Sequence, residues 1–283
     1  METIGIIAAM TQECRELLRC VGKTERTMLG PFCCYRFQLS GRNCLLIKSG
    51  IGINRAIDAT RTLIAAAHPH ILVSFGVAGA ARDELKVGDV VVANQTFLLD
   101  KGKESLFQHL DSLSGSAWHA AVQVLGLRGA RLVSGTAVTT RMSNAARLLP
   151  EEMAHPFFDM ETAGIAQIAA EHSTAIMALR AVSDGPLEPL AFDIEAMTDE
   201  DFNLSIVKAF KMVLLRPQLA LGSFRIIRNV GIAADNAAAA LLAVLGQAVI
   251  LDKLKDKVQI PVEFLPLAPA SVDFSLETEG EYL

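Results

Sequence analysis

No excess of basic residues runs through this chain. Lys and Arg total 26 against 31 Asp and Glu, a formal net charge of −5 with pI near 5.7. That balance argues against a nucleic-acid binder that works by neutralising phosphates. The five cysteines (Cys14, Cys20, Cys33, Cys34, Cys44) are odd in number and lack C-x-x-C spacing, so buried reduced thiols are expected rather than a disulfide framework. The six histidines form no H-x-x-x-H pair, and no metal site is predicted. Ser49-Gly50-Ile51-Gly52 lacks both the Lys-Ser/Thr of a P-loop and the third glycine of a dinucleotide fingerprint. The N-terminus has no basic stretch ahead of its apolar run, which predicts a cytoplasmic protein without a signal peptide. Repeats and low-complexity stretches are also missing.

What the chain does have is apolar content: 51% hydrophobic and 20% charged over 283 residues. This excludes disorder and is ample for a sizeable core, in one large α/β domain or two small ones. Short apolar runs recur with helical stretches between them. Ile4–Met10, Cys44–Lys48, Ile71–Phe75, Val87–Ala93, Arg131–Gly135 and Ala175–Ala181 read as buried strands. Asn54–Ala67 shows helical spacing, and residues 19–41 read as an antiparallel hairpin. The Ile71–Phe75 strand is expected to break at Gly76-Val77-Ala78-Gly79. The predicted fold class is α/β: a single domain with a central, mostly parallel or mixed sheet flanked by helices, plus a C-terminal helical extension. Its limits are expected at residues 1–215, with the extension at 216–260 and a disordered tail at 261–283.

Towards the end, Phe202–Leu215 reads as an amphipathic helix stopped at Arg216-Pro217. Val230–Leu251 is apolar enough to raise the question of a membrane span. Asp235, Asn236 and Gln247 interrupt it and alanine dominates it, so a packed helix is expected and no span.

Three carboxylates follow apolar runs. Glu13 comes after Ile4–Met10, Glu161 closes Phe157-Phe158-Asp159-Met160, and Asp184 follows Ala175–Leu179 with Arg180 and Ser183 between. In open α/β sheets the ligand crevice lies at the carboxyl ends of the strands. Carboxylates meeting there can protonate a leaving group, orient a water and hold sugar hydroxyls. Each also has a structural alternative. Glu13 and Glu161 are placed to cap first helical turns, and Arg180 and Asp184 are spaced to form an ion pair.

Ile4–Met10 with Glu13, Ser49–Gly52, Gly76–Gly79, Asp159-Met160-Glu161 and Arg180–Asp184, in that order, resemble the nucleoside phosphorylase/nucleosidase family. The likeness spans about residues 1–215 and is greatest for the 5'-methylthioadenosine/S-adenosylhomocysteine nucleosidase branch. It implies hydrolysis of the N-glycosidic bond of a purine nucleoside without a cofactor, in a cytoplasmic homodimer serving methionine salvage. By the same resemblance Asp184 donates a proton to the purine, assisted by Ser183, and Glu13 with Arg180 positions and deprotonates a water. Glu161 accepts the ribose hydroxyls, with Met160 lining the ribose. Met10, Gly79, Ala137 and Val138 complete the substrate-binding set. Val77 stands where the nucleosidase pattern has a serine. The arginine-bearing phosphate turns of the phosphorylases are missing from Met10-Thr11-Gln12-Glu13 and Val73-Ser74-Phe75. Two alternatives stand beside this reading. One is a phosphorylase, including the hopanoid-associated kind that acts on a lipid-linked nucleoside, which Arg216-Pro217, Arg225 and Arg228 also resemble. The other is a nucleoside-binding protein without turnover.

Overall fold

The computed structural model describes residues 2–99, 106–140, 145–186 and 220–251. The expected helix at Phe202–Leu215, its stop at Pro217, the boundary at 215 and the tail from 261 lie outside the described residues. Ten strands form one mixed sheet: β1 (Thr3–Ala8), β2 (Glu25–Leu29), β3 (Phe32–Leu39), β4 (Arg42–Lys48), β5 (Ile71–Ala80), β6 (Val90–Leu99), β7 (Leu106–His109), β8 (Leu132–Thr140), β9 (Pro156–Asp159) and β10 (Ala175–Asp184). Among the described residues five α-helices accompany them: α1 (Thr11–Cys20), α2 (Ile53–Ala67), α3 (Gly115–Gly126), α4 (Thr162–Glu171) and α5 (Ala220–Leu245).

β1 lies parallel between β4 and β5, and β5 lies parallel to β10. Beyond β5 the sheet closes on itself. β10 pairs β6, β6 pairs β8, β8 pairs β9, and β9 returns to β5 through Gly79 and Ala80. The other wing stays open and ends in the β2–β3 hairpin, as the 19–41 segment predicts.

β1 is buried on both faces, which is why its sequence is continuously apolar. Ile4 and Ile6 enter one core cluster with α1, α3 and α5; Ile7 enters the other with α2 and α4. Gly5 permits close approach of α2, since a Cβ there would lie 2.7 Å from Leu63 Cδ2. Three cysteines, Cys14, Cys34 and Cys44, are buried as expected; Cys20 is exposed and Cys33 half-buried, and all five are free.

β5 departs from expectation. It does not break at Phe75 but continues through Gly76–Gly79 to Ala80, hydrogen-bonded in register to β10. The two glycines are flat places on a strand. A Cβ on Gly76 would lie 2.1 Å from Glu13 Oε1, and one on Gly79 would lie 2.7 Å from Asp184 Oδ2.

Over Ile227–Leu245, α5 has the length and composition of a membrane-crossing helix. Its Ala233, Ala237, Leu241 and Val244 are nevertheless buried in the cluster shared with α1, α3 and β10. The polar interruptions are satisfied: Asn236 donates to Gly88 O (2.9 Å), Asp235 pairs with Arg128 (2.5 Å) and Gln247 donates to Ala243 O (3.3 Å). Arg42 ties down the helix end by donating to the carbonyls of Leu245 (3.1 Å) and Ala248 (2.8 Å).

If this packing holds the helix in place, Leu241→Ala costs about 2–5 kcal/mol in denaturant unfolding, the range for emptying a fully buried leucine site. Ile227→Ala, at a residue 63% exposed, changes stability by less than about 0.5 kcal/mol. Equal effects at the two positions, or a chain that needs detergent to leave the membrane fraction, refute packing on the body.

Candidate active site

Arg180 comes from the middle of β10, and its side chain is buried although it is the bulkiest in the interior. Four partner residues reach it from three other places in the chain. Nη2 donates to Ser74 Oγ (2.9 Å) on β5 and to Glu161 Oε2 (3.3 Å), and lies 3.3 Å from Asp159 Oδ2. Nη1 lies 3.9 Å from Glu13 Oε1. Nε is buried with no partner among the described residues, a donor left available to a ligand oxygen.

Glu13 is the third residue of α1. Its Oε2 accepts from the N–H groups of Ala9 (2.9 Å) and Met10 (2.8 Å), the second closing the helix start. Its Oε1 reaches across to the N–H of Val77 on β5 (2.8 Å). Capping and site-building are therefore one arrangement. The side-chain hydroxyl that a serine would supply at position 77 is missing, but the backbone donor at that position is used.

Glu161 precedes α4 and makes no side-chain cap there. It turns instead toward α2, whose first turn offers the Gly52 N–H to Oε1 (2.9 Å). A helix N-terminus favours an anion at that point, and Gly52 adopts φ +103 to present its N–H. Asp159 takes the capping work that the sequence suggested for Glu161. It accepts from the Thr162 N–H (3.1 Å), from the Thr162 hydroxyl and from Thr139 Oγ1 (2.6 Å).

Asp184 stands apart from this cluster, at the end of β10. A register irregularity after Val182 sets it opposite Gly79, while Arg180 lies opposite Gly76. The Ser183 hydroxyl is 2.6 Å from Asp184 Oδ1 and 3.3 Å from the Ala78 carbonyl. Met10 and Met160 are half-buried beside Glu13 and Glu161. Ala137 and Val138 are fully buried on β8, in two different apolar clusters. The next residue, Thr139, is the one whose side chain enters the polar network.

Sequence reasoning singled out Glu13, Glu161 and Arg180, and the structure brings them together. It missed the supporting set of Ser74, Asp159, Thr139 and Thr162, all buried. The available signal was a polar residue inside an otherwise apolar run, as Ser74 is within Ile71–Phe75.

One guanidinium faces three buried carboxylates, so the cluster has a negative surplus. Burial raises the affinity of Glu161 for a proton, Arg180 opposes this and Asp159 adds to it, leaving Glu161 pushed up to about 7. Burial likewise raises Glu13, against Arg180 and its backbone donors. Arg180 stays charged, since its three carboxylates outweigh its own burial cost.

Fold and site thus define an α/β protein with an acid at one strand end and a guanidinium–carboxylate cluster beside it. The profile of the phosphorylase superfamily matches residues 3–216, and the chain belongs to that family. A 5'-methylthioadenosine/S-adenosylhomocysteine nucleosidase of Haemophilus influenzae is 24% identical over 205 residues, 64% of this chain and 86% of that protein. Among solved structures, the nucleosidase of that kind from Colwellia psychrerythraea, in complex with adenine, superposes with TM-score 0.65 at 22% identity, covering 88% of this chain and 98% of that one. The futalosine hydrolase of Helicobacter pylori gives 0.62 at 18%, covering 86% and 96%. At these identities the structural likeness is one of fold.

Because the folded pKa of Glu161 lies above its unfolded value near 4.5, the native state holds the proton more tightly than the unfolded chain. Its contribution to stability is present at low pH and is lost as pH rises from about 4.5 through about 7. Glu161→Gln removes the titrating group. Unfolding free energy measured across that window therefore falls more steeply with pH in the parent than in the variant, and parallel curves refute the raised pKa.

Proposed function

We propose that the protein hydrolyses the N-glycosidic bond of a purine nucleoside, with a 5'-substituted adenosine such as 5'-methylthioadenosine or S-adenosylhomocysteine as substrate. The observation that carries this reading is the division of the site. The Ser183–Asp184 pair lies against Gly79, while Glu13, Arg180 and Glu161 form a separate cluster over Gly76. Breaking the bond between the sugar and the base nitrogen develops positive charge on the ribose and negative charge on the departing base. Asp184 protonates the base as it leaves, with the Ser183 hydroxyl orienting the carboxyl. The buried carboxylates stabilise the ribose cation. Glu161 accepts the ribose hydroxyls and Met160 lines the ring; Met10, Gly79, Ala137 and Val138 belong to the proposed substrate-binding set. A water held by Arg180 and Glu13 adds its oxygen to the sugar carbon and gives its proton to Glu13, whose raised proton affinity suits a base.

Water is favoured over phosphate by charge. Arg180, the guanidinium of the described cluster, is already shared among Glu13, Asp159 and Glu161, which leaves it little charge to offer a phosphate dianion. With this function we also propose a homodimer and a cytoplasmic location. We place the reaction in the recycling of methylthio- or homocysteine-bearing nucleosides.

Release of free base from 5'-methylthioadenosine, S-adenosylhomocysteine, adenosine, inosine and futalosine, with and without phosphate, tests the reading. Free sugar, not sugar 1-phosphate, is expected, at a rate indifferent to phosphate. Phosphate dependence would establish the phosphorylase alternative, and binding without release the non-catalytic one. Asp184→Asn lowers kcat by about 10²–10⁴-fold while nucleoside still binds; a near-parental rate refutes its role as acid. Glu13→Gln abolishes hydrolysis because an amide cannot take the proton from water.

A further inference from the structure

Helix α1 has two working sides. Glu13 turns to β5, and residues two further along a helix lie about 200° around its axis. There Arg15, Leu18 and Arg19 border a second cavity of about 470 Å³, walled by β2, β3 and the end of β4. Among the described residues lining it, four side chains are cationic, Arg15, Arg19, Arg26 and Lys48, and none is acidic. Glu16, just outside the lining, is the single carboxylate shared by Arg15 (3.1 Å) and Arg19 (2.6 Å). Arg26 Nε donates to the Cys33 sulfur (3.2 Å), and Tyr35 lines the same wall. Thr11, the first residue of α1, brings the positive end of the helix to the same space.

The described lining thus gathers side chains of one charge sign on a concave surface. We propose that this cavity is a binding site for a small polyanion of the phosphate class, separate from the carboxylate site on the other side of α1. Three guanidinium forks match the tetrahedral oxygens of a phosphate in paired hydrogen bonds, and Lys48 adds a point charge. The chain as a whole carries −5, so the positive charge is local and suits a compact anion rather than a nucleic-acid backbone. The inference stands independently of the function proposed above.

Cys33 is a built-in reporter, since it is half-buried in the cavity wall, whereas Cys20 is exposed and does not line the cavity. The experiment alkylates the full chain with neutral iodoacetamide over a range of inorganic pyrophosphate concentrations and follows each cysteine by peptide mass spectrometry. Expected is saturable protection of Cys33 with Cys20 unaffected. The protecting midpoint rises about tenfold in Lys48→Met and in Arg15→Gln, as for loss of one charge-assisted hydrogen bond. Arg15 is 60% exposed, so its variant decides the matter if the lysine variant does not fold. Indifference of Cys33 to pyrophosphate, protection in step with Cys20, or unchanged midpoints in a folded variant each overturn the proposal. Protection by short single-stranded DNA at lower concentration than by pyrophosphate does so as well.

Discussion

The burial of the Arg180 guanidinium is the constraint from which the rest of the site follows. Desolvating such a charge costs several kcal/mol, and the fold offsets this only by bringing acceptors to it from separate parts of the chain. Glu13 comes from α1, Ser74 from β5, and Asp159 and Glu161 from the link between β9 and α4. None of these is near Arg180 in sequence apart from the last two, about 20 residues upstream. The strand ring makes the meeting possible. β9 pairs with β5 at Gly79 and Ala80, which sets Asp159 and Glu161 beside the strand that neighbours β10.

Backbone groups carry as much of the design as side chains do. Glu13 is held by three N–H groups and Glu161 by one at the start of α2. Such donors cannot be removed by a side-chain substitution, so the contact of position 77 with Glu13 does not depend on the side chain there. Gly76 and Gly79 contribute by lacking a side chain: the carboxylates of Glu13 and Asp184 occupy the space where a Cβ would stand. A larger residue at either glycine would displace the group that faces it.

Much of this was legible in the sequence, for identifiable reasons. Runs such as Ile4–Ala8 and Ala175–Leu179 are apolar on both faces, so β1 and β10 could be placed, and the hairpin read over residues 19–41 is found at β2–β3. The glycines of β5 were misleading because glycine marks both a turn and a close approach, and only the register with β10 separates the two. Asp159, Thr139 and Thr162 were hidden for a different reason. Their importance lies in contacts across 20 or more residues or in a helix cap, and neither leaves a periodic trace. The carboxylates were legible only as candidates, since Glu13 does cap α1 while also facing Arg180.

Charge balance then explains why so costly a cluster suits this chemistry. An apolar cluster of equal volume is often as stable as a buried ionic one, or more so. Three carboxylates around one guanidinium therefore point to a role beyond holding the fold. The carboxyl groups differ in their surroundings. Glu13 and Glu161 are buried and shifted toward holding a proton, while Asp184 sits outside the guanidinium cluster with partial access to solvent. The two sets of carboxyl groups thus meet the same strand, β5, in different surroundings, Glu13 at Gly76 and Asp184 at Gly79. Closing β5 against both β9 and β10 is what keeps the two environments adjacent yet distinct.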